Sequence, residues 1–193
     1  MIKIYGLDPL VLGNAINLLG VAALVYSNYV ISLRANTRSG FLAASWGGGL
    51  VAAGSMVIGS YPVVLLNVCW AVIGAIGVTS IALPLGKRVS SLVMLAIAGS
   101  GILAFVYGNY DLSAYATSAI YVVAFLLFSM NSISRPAYLA WSLCGFVMLV
   151  PHLLEVKSVF VLANETLGFV ICSIGLVKCL VRKKTERPAT VSG

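Results

Sequence analysis

Asparagine is an unusual residue to find where hydrocarbon is expected, and two apolar runs contain one. Asn67 lies within "YPVVLLNVCWAVIGAIG" (61–77), with Trp70 three positions on, and Asn164 lies within "VFVLANETLGFVICSIG" (159–175), beside Glu165. A side-chain amide offers donors and acceptors at once. Left unsatisfied in hydrocarbon it costs several kcal/mol, so each must face protein, water or a ligand. Asn67 and Trp70 share a helix face, and indole beside amide suits a sugar-like or flat-ringed solute. The plainer readings are an interhelical hydrogen bond, worth about 0.6 kcal/mol, and a tryptophan that packs or meets lipid. Glu165 is more demanding, because ionising a carboxylate within a membrane is expensive. It is expected to carry a proton, to meet a cation, or to pair with Lys157 or His152 at an outer rim. Asn14 and Asn17, one turn apart in an earlier run, would add polar lining or a helix–helix contact.

The elements that must hold these residues follow from composition. The 193 residues are 61% hydrophobic and 9% charged, with a mean hydropathy of +1.05. Soluble domains are about half apolar and about a quarter charged, so an all-α integral membrane protein is implied. Apolar runs predict seven transmembrane helices over about 9–33, 39–59, 61–85, 88–108, 112–133, 136–153 and 157–181; each is close to the roughly 20 residues that span a bilayer. Pro9, Pro62 and Pro136 fall in first turns, where a missing N–H costs little. The hairpin between the second and third helices, "GSYP", is very tight.

Charge orients the helices. With the N-terminus outside, the inner connections and tail collect Arg34, Arg38, Lys87, Arg88, Arg135, Lys178, Arg182, Lys183, Lys184 and Arg187, leaving only Lys3 and Lys157 of the 12 basic residues outside. That asymmetry follows the positive-inside rule. It predicts a cytoplasmic C-terminus and an inner-membrane protein of a bacterial cell. The net charge of +7 is spread over helix ends, without the basic groove interleaved with aromatics that nucleic acid requires, so no nucleic-acid partner is expected. Cys69, Cys144, Cys172 and Cys179 lie in or at the end of apolar runs with no Cys-x-x-Cys pair, and the chain has one histidine. They read as small buried hydrophobes, with no metal and no cofactor expected.

An internal repeat organises the runs. "VAALVYSNYVIS" (21–32) aligns with "VAFLLFSMNSIS" (123–134), Trp46 then matches Trp141, and Asn67 matches Asn164. The repeat is three helices long, which makes the fourth helix a connector. An odd connector returns the chain to the same side, so the repeats run parallel. Residues 1–87 and 111–182 would then be two three-helix bundles, joined by a linker helix at 88–110 and followed by a disordered tail at 183–193. Transporters built from such repeats place substrate near mid-membrane between the halves.

This 3+1+3 plan resembles the SWEET and PQ-loop transporter superfamily. The resemblance reaches Arg38, Ser39 and Ser45 in "TRSGFLAAS", which is similar to the family's basic, serine-rich inner turn, and Asn67 and Asn164, which look like its membrane-embedded asparagines. Trp70 and Trp46 are candidates for the tryptophan that lines the pocket in half-size members. The Pro-Gln pairs that serve the family as hinges are absent; Asn28-Tyr29 and Met130-Asn131 stand near their places. The resemblance implies a carrier of a sugar-like or other neutral metabolite, alternating between two bundles. The vitamin transporters of nicotinamide-riboside type share a related seven-helix plan.

Glycines at seven-residue spacing, including Gly13 and Gly20, Gly47 and Gly54, and Gly168 and Gly175, form smooth stripes along helix faces. Such stripes allow close approach and sliding; if they let the bundles rock, Gly47→Leu should impair transport before folding. Scattered acids and a single histidine argue against a membrane enzyme, and no selectivity-filter motif suggests a channel. The reading is a transporter with Asn67, Trp70, Asn164, Glu165, Asn14 and Asn17 as substrate-binding candidates. Its partners would be a small solute and the lipid bilayer, with homo-oligomerisation left open. The alternatives are a vitamin, nucleoside or amino-acid carrier proton-coupled at Glu165, and a non-transporting assembly partner.

Overall fold

The computed structural model describes residues 8–79, 85–151 and 159–185. Lys3, Gly6, His152, Glu155, Lys157 and Arg187 lie outside the described residues, so the alternative that pairs Glu165 with His152 or Lys157 does too, as does the tail beyond Thr185. Among the described residues the fold is all helical, with seven α-helices: α1 (Pro9–Tyr29), α2 (Thr37–Ile58), α3 (Tyr61–Thr79), α4 (Lys87–Val106), α5 (Tyr110–Ser129), α6 (Arg135–Leu149) and α7 (Val159–Thr185). Five apolar stretches, within α1, α2, α4, α5 and α7, are long enough to cross a membrane. The described apolar part of α3, Val63–Thr79, is shorter, and α6 has 15 residues. Large apolar side chains cover the outside, among them Leu65, Leu92, Leu103 and Val177. A surface so broadly apolar is one that lipid covers.

Local chemistry sets the ends. Asp8, Asn36 and Asn109 cap α1, α2 and α5, their side-chain oxygens accepting from the N–H of Leu10 (2.9 Å), Ser39 (3.1 Å) and Leu112 (3.1 Å). These bonds satisfy N–H groups that a helix start leaves without partners. Pro9 and Pro136 occupy the first turns of α1 and α6. The α2–α3 hairpin turns on Gly59 (φ 82°), with Gly59 and Ser60 donating back to Met56 (3.1 Å) and Ser55 (2.9 Å). That left-handed conformation costs glycine nothing. α1 does not end simply: it passes into a five-residue π turn, Val30–Arg34.

Neighbour relations give the architecture. α1 packs on α2 and α2 on α3; α5 packs on α6 and α6 on α7; α3 meets α5 and α1 meets α7. Six helices therefore close a ring, while α4 lies outside it, against α5 and to a lesser degree α6. The first three helices touch backbone to backbone. A Cβ added at Gly20 would lie 2.9 Å from the Gly47 carbonyl oxygen, and one at Gly47 would lie 2.8 Å from the Gly20 oxygen. On the other side of α2, a Cβ at Gly48 would lie 2.7 Å from the Asn67 carbonyl oxygen. Ser27 donates to the Gly40 carbonyl (2.7 Å) and Ser45 to that of Ala71 (3.0 Å), adding a polar tie to each contact.

The glycine stripes of α1 and α2 thus lock one half together internally. The sliding role expected of Gly47 does not fit this packing: a leucine there would strike the Gly20 and Leu24 backbones, so folding suffers first. Gly175 differs, since it faces Ser32 of the π turn after α1, while Gly168 lies closest to the Phe146 ring of α6 with Asn28 of α1 beyond it.

Three further contacts bring one set of connections together. Ser32 of the π turn lies 3.8 Å from the Cys172 sulfur, the Leu85 N–H donates to Ser132 (3.0 Å), and Arg135 donates to the Cys179 sulfur (2.9 Å). Arg34, Arg38, Lys87, Arg88, Arg135, Lys178 and Arg182 all belong to these connections or to the adjoining end of α7. Asp8 and Asp111 start helices at the opposite end.

Candidate functional site

The ring lines a partly open cavity of ≈ 120 Å³ to which all six of its helices contribute side chains. Of the expected site residues, Asn67 and Trp70 reach it from α3, and Asn164 and Glu165 from α7. Residues nearly one hundred positions apart in sequence thus share one space.

Each polar group has a defined orientation. Asn67, 7% exposed, donates one amide N–H to the Val63 carbonyl one turn back (2.9 Å), which leaves its carbonyl oxygen and its second N–H for the cavity. The Asn164 amide nitrogen faces a Glu165 carboxyl oxygen at 3.3 Å, and its own oxygen is buried without a partner. The Tyr121 hydroxyl sits beside Glu165 outside hydrogen-bond geometry and is likewise unpartnered. Buried polar atoms are ordinarily satisfied. Two orphans at one cavity mark where a water or a solute would bind.

Aromatic rings form the rest of the wall. Trp70 stacks on Phe125 (centroids 4.4 Å apart), and Tyr121 meets Phe146 edge to face (5.2 Å). Below them Phe41 lies 5.4 Å from Phe125 and 5.5 Å from Phe128, and Phe128 stacks on Tyr138 at 4.7 Å. Phe41 and Tyr138 stand one turn into α2 and α6, and Phe128 in the last turn of α5, all beside the basic connections. This layer of rings therefore lies between the cavity and the basic end, with contributions from both halves.

Asn14 and Asn17 do not join the cavity. Asn17 is buried on α1 against Gly54 of α2, its side-chain oxygen unpartnered, so it belongs to a helix contact. Trp46 and Trp141, matched by the repeat, also part company: Trp46 is 67% exposed, and Trp141 packs against the core. Sequence reasoning missed Asn28, Tyr121, Tyr138, Ser142, Phe146 and Cys172 as lining, beside several aliphatic side chains of α1–α3. The usable signal was the hydroxyl of Tyr121, a polar atom placed midway along apolar α5.

Comparison with family models, with curated proteins and with solved structures finds no match to this chain.

Proposed function

We propose that the protein is a membrane carrier for a small polar solute, bound between α1–α3 and α5–α7 and exposed alternately at the two ends of the ring. The observation that carries this reading is the cavity itself: a chamber inside an apolar bundle, mainly apolar in its walls but set with amide, carboxyl and hydroxyl side chains, and lined from every ring helix. Paired amides at Asn67 and Asn164 suit hydrogen-bonded recognition of a solute, and the aromatic walls suit its apolar faces. Two features favour a 3+1+3 arrangement. If α1, α2 and α3 correspond to α5, α6 and α7, the α3–α5 contact corresponds to the α7–α1 contact, and the ring contains both. The helix left over by that correspondence, α4, is the one outside the ring. The ring-filled layer beside the basic end would be one gate; parting it requires movement across the two seams, without the prolines of the SWEET-like plan.

Counterflow in proteoliposomes, against labelled sugars, amino acids, nucleosides and vitamins, tests the reading. Saturable exchange that falls at least about tenfold in Asn67→Ala and Asn164→Ala is the expected result, the scale of a lost buried hydrogen bond or two. No exchange of any solute by folded wild-type protein would remove the carrier reading and favour an assembly partner.

A further inference from the structure

The cavity gathers a carboxylate, amide oxygens and aromatic rings around one space. Asn67 gives one amide N–H to Val63 and Asn164 turns one toward Glu165, and each also keeps a side-chain carbonyl oxygen available. An ionised carboxylate accepts only, and Glu165 is the one carboxyl group, with no basic side chain, among the lining residues. Among the described residues it makes no ion pair.

The walls are equally selective. Trp70, Tyr121 and Phe146 bring π faces and edges to the same chamber. The face of an aromatic ring attracts a cation within about 6 Å, and a carboxylate hydrogen-bonded to an ammonium is among the stronger polar contacts. Carboxylate, amide oxygens and rings answer to one chemistry.

We propose that the cavity takes a small organic cation, its ammonium group held by Glu165 with the side-chain oxygens of Asn164 and Asn67, and its apolar body against Trp70, Tyr121 and Phe146. The inference rests on the carrier reading for its physiological sense, but the binding it describes is testable without transport. It narrows the polar solutes above to amines.

The test uses a probe pair of matched shape, benzylammonium and benzyl alcohol, titrated calorimetrically into the full chain in lipid nanodiscs. Wild-type protein is expected to bind the ammonium at least about tenfold more tightly, as a charge-assisted contact predicts. Glu165→Gln should erase that preference, and Glu165→Asp, which keeps the charge, should retain part of it. Equal affinity, preference for the alcohol, or no binding of either probe by wild-type protein overturns the proposal, and that comparison needs no variant to fold. Preference surviving in Glu165→Gln overturns it as well. Counterflow of labelled benzylammonium separates the two readings. Binding without exchange leaves the cation site standing and counts against the carrier, whereas exchange of neutral solutes by protein that ignores the ammonium does the reverse.

Discussion

At the scale of single residues, the asparagines separate by where their hydrogen bonds go. Asn67 ties its N–H to its own helix and keeps an oxygen in the cavity, so it holds no neighbouring helix in place. Asn17 is buried at an α1–α2 contact with its oxygen unsatisfied, a state that is itself costly. Asn67→Ala is therefore expected to keep the fold and lose solute exchange. Asn17→Ala should keep both, its melting stability in detergent changing by no more than about 0.5 kcal/mol or rising, since truncation also removes an orphaned acceptor. Thermal unfolding followed by size-exclusion chromatography, beside counterflow, checks the pair. If Asn67→Ala unfolds the protein, the residue is a structural bond and not a recognition group.

Between elements, the argument rests on closeness. α2 is pressed between α1 and α3, and its glycines take unequal parts in that. Gly48 leaves no room for a methyl group against α3, while a Cβ at Gly49 would meet nothing within 4 Å. Gly48→Ala should cost about 1–3 kcal/mol, the usual penalty of overpacking. Gly49→Ala should be neutral or slightly stabilising, because alanine holds a helix better than glycine. The two neighbours form an internally controlled comparison by thermal melting. Equal losses would mean that the α2–α3 contact is looser than described.

The helices themselves were legible in the sequence. The expected starts at residues 9, 61 and 136 fall on or within one residue of the observed ones, because proline and capping residues mark helix starts chemically. Other ends moved: α1 gives way to a π turn before residue 33, and α7 runs on to Thr185. The ring was not legible. Helices apolar nearly all round carry little periodic signal of which side meets which neighbour. Hence Asn17 read equally as lining or as helix contact and Tyr121 passed unnoticed, while Asn67 and Asn164 stood out because an amide has no cheap place in hydrocarbon.

Over the whole molecule, charge is polarised along the bundle. The basic residues of the connections converge at one end through the contacts of Leu85 with Ser132 and Arg135 with Cys179. Positively charged ends are retained in the cytoplasm. A fluorescent reporter fused after Gly193 should therefore light up in bacterial cells, and alkaline phosphatase fused at the same point should stay inactive. The opposite pattern would invert the orientation, and with it the side on which the ring-filled gate opens.

The place of α4 has a consequence for assembly. Each half of the ring is continuous in the chain, and the helix that joins them passes outside without closing either seam. The covalent link between the halves is thus a tether: it raises their local concentration and supplies no wall of the chamber. A chain severed at exposed Gly86 would divide into one piece carrying Asn67 and Trp70 and another carrying α4, Asn164 and Glu165. Neither piece holds a complete chamber, so two fragments made in the same membrane should recover function only by finding each other.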